Sequence, residues 1–317
     1  MLIGVLCALG AGLLWGLVFI VPLILGDYPG MVLSFGRYIA FGLIALLPAW
    51  LDRKRMRALS RADWLRALKL SLIGSLLYYA MLASAIQLAG SPLPTMLIGT
   101  LPVAIAVFSN WRPGHPSESV AWRRLAPSLL IILTGLLLVN ASELAAFDRS
   151  GGGRSLADYA LGCLLAVGGV AAWTWYPVMN ARHLKANPHI HSVTWATAQG
   201  LATLPLATLG LLGYGLYAKV NHTGFDFPLG PQPLRFVGLM LLIGLTASWI
   251  GTLLWNQASQ RLPTSLAGQL IVFETLFALL YAFILRGALP GLAISGGIVL
   301  LCAGVLLGVR AFRHQLH

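Results

Sequence analysis

The chain has 317 residues, 58% of them apolar and 9% charged, with a mean hydropathy of +0.82. A soluble domain is typically about a quarter charged, so this composition excludes a water-soluble globule and describes an integral membrane protein. The net charge of +12 arises from basic residues set between apolar runs, a signature of loop topology rather than of a nucleic-acid surface, and no nucleic-acid partner is expected.

A helix that crosses about 30 Å of hydrocarbon needs roughly 20 residues. The apolar stretches predict ten such helices, at 2–24, 31–50, 69–88, 92–111, 122–141, 157–180, 190–213, 235–258, 263–285 and 289–310. The first has no Lys or Arg ahead of it and continues to about Leu25, longer than a cleavable signal core, so it is expected to stay in the mature protein. The breaks are GDYPG at 26–30, a basic run at 52–69, GSP at 90–92, RPGHP at 112–116, a glycine triplet at 151–153, ANPHIH at 186–191, a long segment at 214–234, RLP at 261–263 and RGALP at 286–290. None is long enough for a soluble domain. Cys7, Cys163 and Cys302 lie inside apolar runs without CxxC spacing, which predicts neither a disulfide framework nor a zinc site. His189 and His191 are too sparse for a metal site, and no cofactor is expected.

With the N-terminus in the cytoplasm, 15 of the 21 basic residues fall in cytoplasmic loops or at the C-terminus. Arg149, Arg154, Lys219, Arg235 and Arg286 fall on the other side, and Arg37 lies within the second helix. The positive-inside rule then places both termini in the cytoplasm. Trp50, Trp111, Trp122 and Trp195 fall at predicted helix ends on that same side, as an interfacial belt would.

Two pairs of segments echo each other. GAGLLWGLVFIVP in the first helix matches GGVAAWTWYP in the sixth, placing Trp15 opposite Trp173, and ASAIQLAGSPLPTMLIGTLP parallels QASQRLPTSLAGQLIVFE. These predict two five-helix repeats, residues 1–145 and 146–317. Because five is odd, the second enters the membrane from the opposite side, the inverted arrangement of alternating-access transporters.

These features, with the GxxWG of the first helix and the short hairpins joining the third to fourth and eighth to ninth, resemble the drug/metabolite transporter superfamily over the whole chain. EamA-like exporters are the nearest group, and SLAGQLIVFET with an aromatic-rich interior looks like the YddG-type bacterial exporters of aromatic amino acids. The resemblance implies a basket of helices 1–4 and 6–9 around a central cavity, with helices 5 and 10 at the edge. It also implies a multi-pass protein of the bacterial inner membrane that exports amino acids or related small metabolites by alternating access.

Ionisable groups at membrane depth are functional candidates. The chain has two, Arg37 about two turns into the second helix and Glu274 near the middle of the ninth. One reading has Arg37 receive a substrate carboxylate while Glu274 receives an ammonium group or a proton; the other has the two pair with each other or with backbone. Helical spacing aligns Trp249, Thr252, Asn256 and Gln260 on one stripe, Glu274, Phe277 and Tyr281 on a second, and Ser71, Ser75 and Tyr78 on a third. Such stripes suit a cavity that stacks a flat ring on Trp15, Tyr78, Trp173 or Trp249 and hydrogen-bonds its polar end; interhelical packing is the alternative for each residue. Candidate substrate-binding residues are thus Trp15, Arg37, Tyr78, Trp173, Trp249, Asn256, Glu274 and Tyr281. Pro22, Pro102 and Pro177 permit kinks within spans. The GxxxG pairs Gly12/Gly16 and Gly304/Gly308 allow close helix approach, within a monomer or in a weak homodimer.

Rival readings are a multidrug or cation exporter of the same superfamily, a passive channel, and a membrane-embedded enzyme. The last lacks its usual signs: no HExxH, no GxSxG and no paired intramembrane carboxylates.

Overall fold

The computed structural model describes residues 1–89, 97, 99–111, 121–148, 156–287, 289 and 291–313. The GSP, RPGHP and triple-glycine breaks, with Arg112, Arg149 and Arg154, lie outside them, as does part of the predicted fourth helix. Every regular element among the described residues is helical: α1 (Leu2–Gly16), α2 (Val21–Ile24), α3 (Gly30–Leu51), α4 (Arg53–Ala58), α5 (Arg61–Ser71), α6 (Tyr78–Ala89), α7 (Leu101–Trp111), α8 (Trp122–Asp148), α9 (Leu156–Ala186), α10 (Ser192–Val220), α11 (Pro233–Ile243), α12 (Gly251–Arg261), α13 (Thr264–Leu270), α14 (Val272–Arg286) and α15 (Leu292–Arg313). Among those residues 8 helical stretches are long and apolar enough to cross a membrane, and Leu101–Trp111 is a shorter apolar helix.

Local chemistry explains several boundaries. The third span begins eight residues before the sequence reading placed it, because Ser60 and Asp63 close a capping box: the Ser60 hydroxyl accepts from the Asp63 amide, and Asp63 accepts from the Ser60 amide. The basic run is therefore helical, split between α4 and α5. At the end of α1, a single 3₁₀ turn (Leu17–Phe19) leads into α2, where Pro22 has no N–H to continue the ladder. Pro177 sits inside α9 without ending it.

Two spans carry a π-helical segment: Leu72–Leu77 joins α5 to α6, and Gly244–Ile250 joins α11 to α12. Such wide turns leave the ordinary hydrogen-bond ladder and recur at functional sites.

The seventh span outruns its predicted end at 213 and reaches Val220. The remaining loop, 221–232, is held down by Tyr28, whose hydroxyl donates to the Leu229 carbonyl and accepts from the Gln232 amide, both at 2.8 Å. The Tyr28 ring stacks on Phe236 at 5.0 Å. Gly230, at φ +69°, has the left-handed backbone that glycine tolerates, and a side chain there would strike that ring.

The helices pair in a pattern that repeats when the halves are exchanged. α1 packs on α12 as α9 packs on α6, and α1 packs on α14 as α9 packs on α7, while α3 pairs with α10, α7 with α13 and α8 with α15. Small residues set the closest approaches. Gly12 and Gly16 lie against Glu274 backbone and Phe277, while Gly304 and Gly308 lie against Ile132 and Gln269, so both glycine pairs are used within the chain. Of the expected belt, Trp50, Trp111 and Trp122 are exposed, but Trp195 is fully buried. Its side chain turns inward and donates to Asn180.

Candidate functional site

A cavity of about 300 Å³ lies among the spans, lined from α1, α3, α5, α6, α9, α10, α12, α14 and both π segments. Its lining includes Trp15, Arg37, Tyr38, Phe41, Ser71, Ser75, Tyr78, Tyr79, Trp173, Tyr176, Gln199, Thr203, Ser248, Thr252 and Glu274. The volume reaches the lower end of the range for small-molecule sites, and the mixture of aromatic rings with a few polar groups is what such sites carry.

The aromatic wall is rigidly built. Trp173 stacks with Tyr78 at 4.9 Å and with Tyr176 at 5.1 Å, and Trp15 meets Trp173 edge-on at 6.1 Å and Trp255 at 5.4 Å. Gly74 makes room for Tyr176, since a Cβ there would collide with the ring. The Trp15 indole N–H donates to the Ala247 carbonyl at 2.9 Å, and Ala247 lies in the second π segment.

Both π segments also place a serine on the wall, Ser75 from the first and Ser248 from the second. Ser248 accepts from Arg37 Nε at 2.9 Å, leaving the terminal guanidinium nitrogens without a hydrogen-bond partner among the described residues. The guanidinium also lies 5.2 Å from the Tyr38 ring centroid, within cation–π range. Glu274, in the first turn of α14, lines the same cavity. The Arg55–Asp52 ion pair and the His183–Asp63 contact lie elsewhere, and Arg37 and Glu274 share one space without an ion pair between them. The arrangement offers a fixed cation, a carboxylate and stacked rings to one small guest.

Trp15, Arg37, Tyr78, Trp173 and Glu274 are thus brought together. Trp249, Asn256 and Tyr281 lie outside the lining and each makes a hydrogen bond between spans: Trp249 donates to Thr197 at 3.3 Å, the Asn256 carbonyl accepts from Asn180 at 2.9 Å, and Tyr281 donates to the Leu13 carbonyl at 3.0 Å. Sequence reasoning missed Ser248, Tyr38, Tyr79, Tyr176 and Gln199. A helical count from Arg37 or Glu274 does not reach Ser248, Tyr79, Tyr176 or Gln199, which come from other spans, and Tyr38, the neighbour of Arg37 in α3, is turned about 100° from it on a helical wheel.

Comparison with known proteins places this architecture. Residues 2–141 match the model of the EamA-like transporter family. Over 98% of this chain and 96% of the relative, the sequence is 50% identical to "Inner membrane protein YtfF" of Escherichia coli. The chain belongs to the EamA-like transporter family. A protein of Archaeoglobus fulgidus named "Uncharacterized transporter" is 24% identical over 89% of this chain and 88% of its own length. A solved crystal structure at 20% identity superposes with a TM-score of 0.73 over 98% of both chains, a likeness of fold. This EamA-like chain is a membrane transporter rather than an enzyme.

Proposed function

We propose that this EamA-like transporter exports small zwitterionic metabolites, aromatic or other amino acids, by alternating access. The observation that supports the reading is that Arg37 and Glu274 face one cavity beside Trp15, Tyr78 and Trp173 without forming an ion pair. Arg37 would receive the carboxylate, with Ser248 setting its angle, and Glu274 the ammonium group, while the rings stack on an apolar side chain. An organic-cation exporter would use Glu274 and the same rings, but Arg37 on the wall disfavours a purely cationic guest.

The E. coli relative is named an inner membrane protein, and we assign this chain to the bacterial inner membrane with both termini cytoplasmic, on the distribution of its basic residues. Two inverted repeats, 1–145 and 146–317, are supported by the exchange-symmetric pairing of the helices and by a π segment in the third span of each half. Since Gly304 and Gly308 serve contacts within the chain, the monomer is taken as the working unit. The test is a substrate panel in proteoliposomes. Competition by amino acids with both charges intact, and none by amino acid amides or N-acetylated forms, is expected; equal competition by simple organic cations would favour the rival.

A further inference from the structure

On the cytoplasmic side of the cavity, in the orientation proposed above, the spans are closed by hydrogen-bonded polar side chains set against an apolar cluster that includes Leu184, Ile190 and Trp195. Asn180 of α9 is the centre of this closure and is completely buried. Its amide donates to Asn256 of α12 at 2.9 Å, while its carbonyl oxygen accepts from Trp195 at 2.8 Å and Gln199 at 3.1 Å, both from α10. One side chain therefore ties three spans together. A second layer lies beyond it, where Ser192 donates to Gln260 at 2.7 Å and Gln260 donates to the Ile190 carbonyl at 3.1 Å.

The closure is also incompletely satisfied. Gln199 Oε1, Asn256 Nδ2, Ser259 Oγ and Ser265 Oγ are buried with no hydrogen-bond partner among the described residues. Each is at most 3% exposed. Buried polar atoms without a partner destabilise the state that contains them. Asn256 and Ser259 share one face of α12, being three residues apart. Groups of this kind on one face are satisfied once water or a hydrogen-bonding guest enters between the helices.

We infer that Asn180, Trp195 and Asn256 form the cytoplasmic gate, and that Asn256, Ser259 and Ser265 line the inner half of the substrate path when it opens. The inference rests on the cavity as substrate site and extends it. That half would take the same class of guest, a small molecule whose charged or amide-like end accepts and donates hydrogen bonds. Gln199 belongs to both regions: it lines the cavity and donates to Asn180. A guest that draws the Gln199 amide toward itself removes one of the two donors holding Asn180, which couples occupancy of the cavity to release of the gate.

The experiment reads access and needs no known substrate, so its failure is separable from failure of the substrate assignment, which flux measures. With Cys7, Cys163 and Cys302 replaced by alanine, Ser259→Cys is exposed in inside-out vesicles to a membrane-impermeant maleimide. Slow labelling is expected, rising at least tenfold when Asn180→Ala is added, and rising by a smaller factor with Trp195→Phe, which keeps an aromatic side chain but deletes the donor. Ile132→Cys, fully buried against α15, reports unfolding. If it stays unreactive, unchanged labelling of Ser259→Cys on adding Asn180→Ala overturns the gate. If it reacts in the Asn180→Ala protein, the Trp195→Phe protein decides: faster labelling there supports the gate, and an unchanged rate overturns it.

Discussion

Arg37 and Ser248 meet across the interface of α3 with the second π segment, Nε donating to Oγ at 2.9 Å. The bond fixes one edge of the guanidinium of a residue that lines the cavity. A hydrogen bond to a charged group contributes about 1.5–3 kcal/mol, so Ser248→Ala should weaken substrate affinity roughly 10- to 100-fold. Transport KM read beside thermal stability checks this: KM should rise with little loss of melting temperature, and an unchanged KM in a stable Ser248→Ala protein counts against a positioned Arg37.

Glu274 faces the cavity without an ion-pair partner among the described residues. Glu274→Gln keeps shape and hydrogen-bonding capacity while removing the ionisable group. Flux across a pH series should therefore flatten or collapse in this variant, with folding retained. Normal pH-dependent flux by a stable Glu274→Gln protein eliminates a role for this carboxylate in transport.

The aromatic wall calls for graded substitutions. Trp15 is 6% exposed and its N–H is engaged, so Trp15→Phe leaves the Ala247 carbonyl short of a donor at about 1–3 kcal/mol and should lower stability. Tyr78, stacked on Trp173, tests recognition more cleanly: Tyr78→Ala should reduce transport of Phe and Trp more than of Ala, a good stack being worth about 0.5–1.5 kcal/mol beyond buried area. The ratio of initial rates decides, and an unchanged substrate profile removes stacking from the account.

Arg37, Glu274, Trp15, Tyr78 and Trp173 were legible in the sequence for one reason: a charge or a ring with a polar handle stands out in an apolar span. Ser248 was not, although the stripe Ser71, Ser75 and Tyr78 was and lies on the wall. A π segment inserts an extra residue into a turn, and one residue is roughly 100° of helix rotation, so a wheel drawn through 244–250 loses its phase. Trp249 shows the result, lying in that segment and outside the lining while Thr252 is on the wall, whereas Asn256 and Gln260 keep phase with Thr252 in α12 and are off the lining because they lie about one and two turns farther along the axis. Trp195 shows a second limit, because nearness to a helix end says nothing of which face a ring occupies. The spans themselves were legible from hydropathy, yet the third began earlier than read because α5 owes its start to the Ser60–Asp63 capping box rather than to apolar residues.

Orientation is checked by labelling intact cells expressing a variant with the three native cysteines replaced. Asp226→Cys, in the exposed loop held by Tyr28, should react with an impermeant thiol reagent from outside, and Arg57→Cys should react only after lysis. The reverse pattern inverts the topology and, with it, the side assigned to the gate.

The central claim is that one cavity carries a substrate by alternating exposure, and counterflow tests it most directly. Proteoliposomes preloaded with an unlabelled amino acid, phenylalanine first, should accumulate the labelled form transiently above equilibrium, with saturable initial rates that Arg37→Ala abolishes in protein that still folds. Uptake that rises linearly with concentration, shows no overshoot and is indifferent to Arg37 would contradict a carrier built on this cavity.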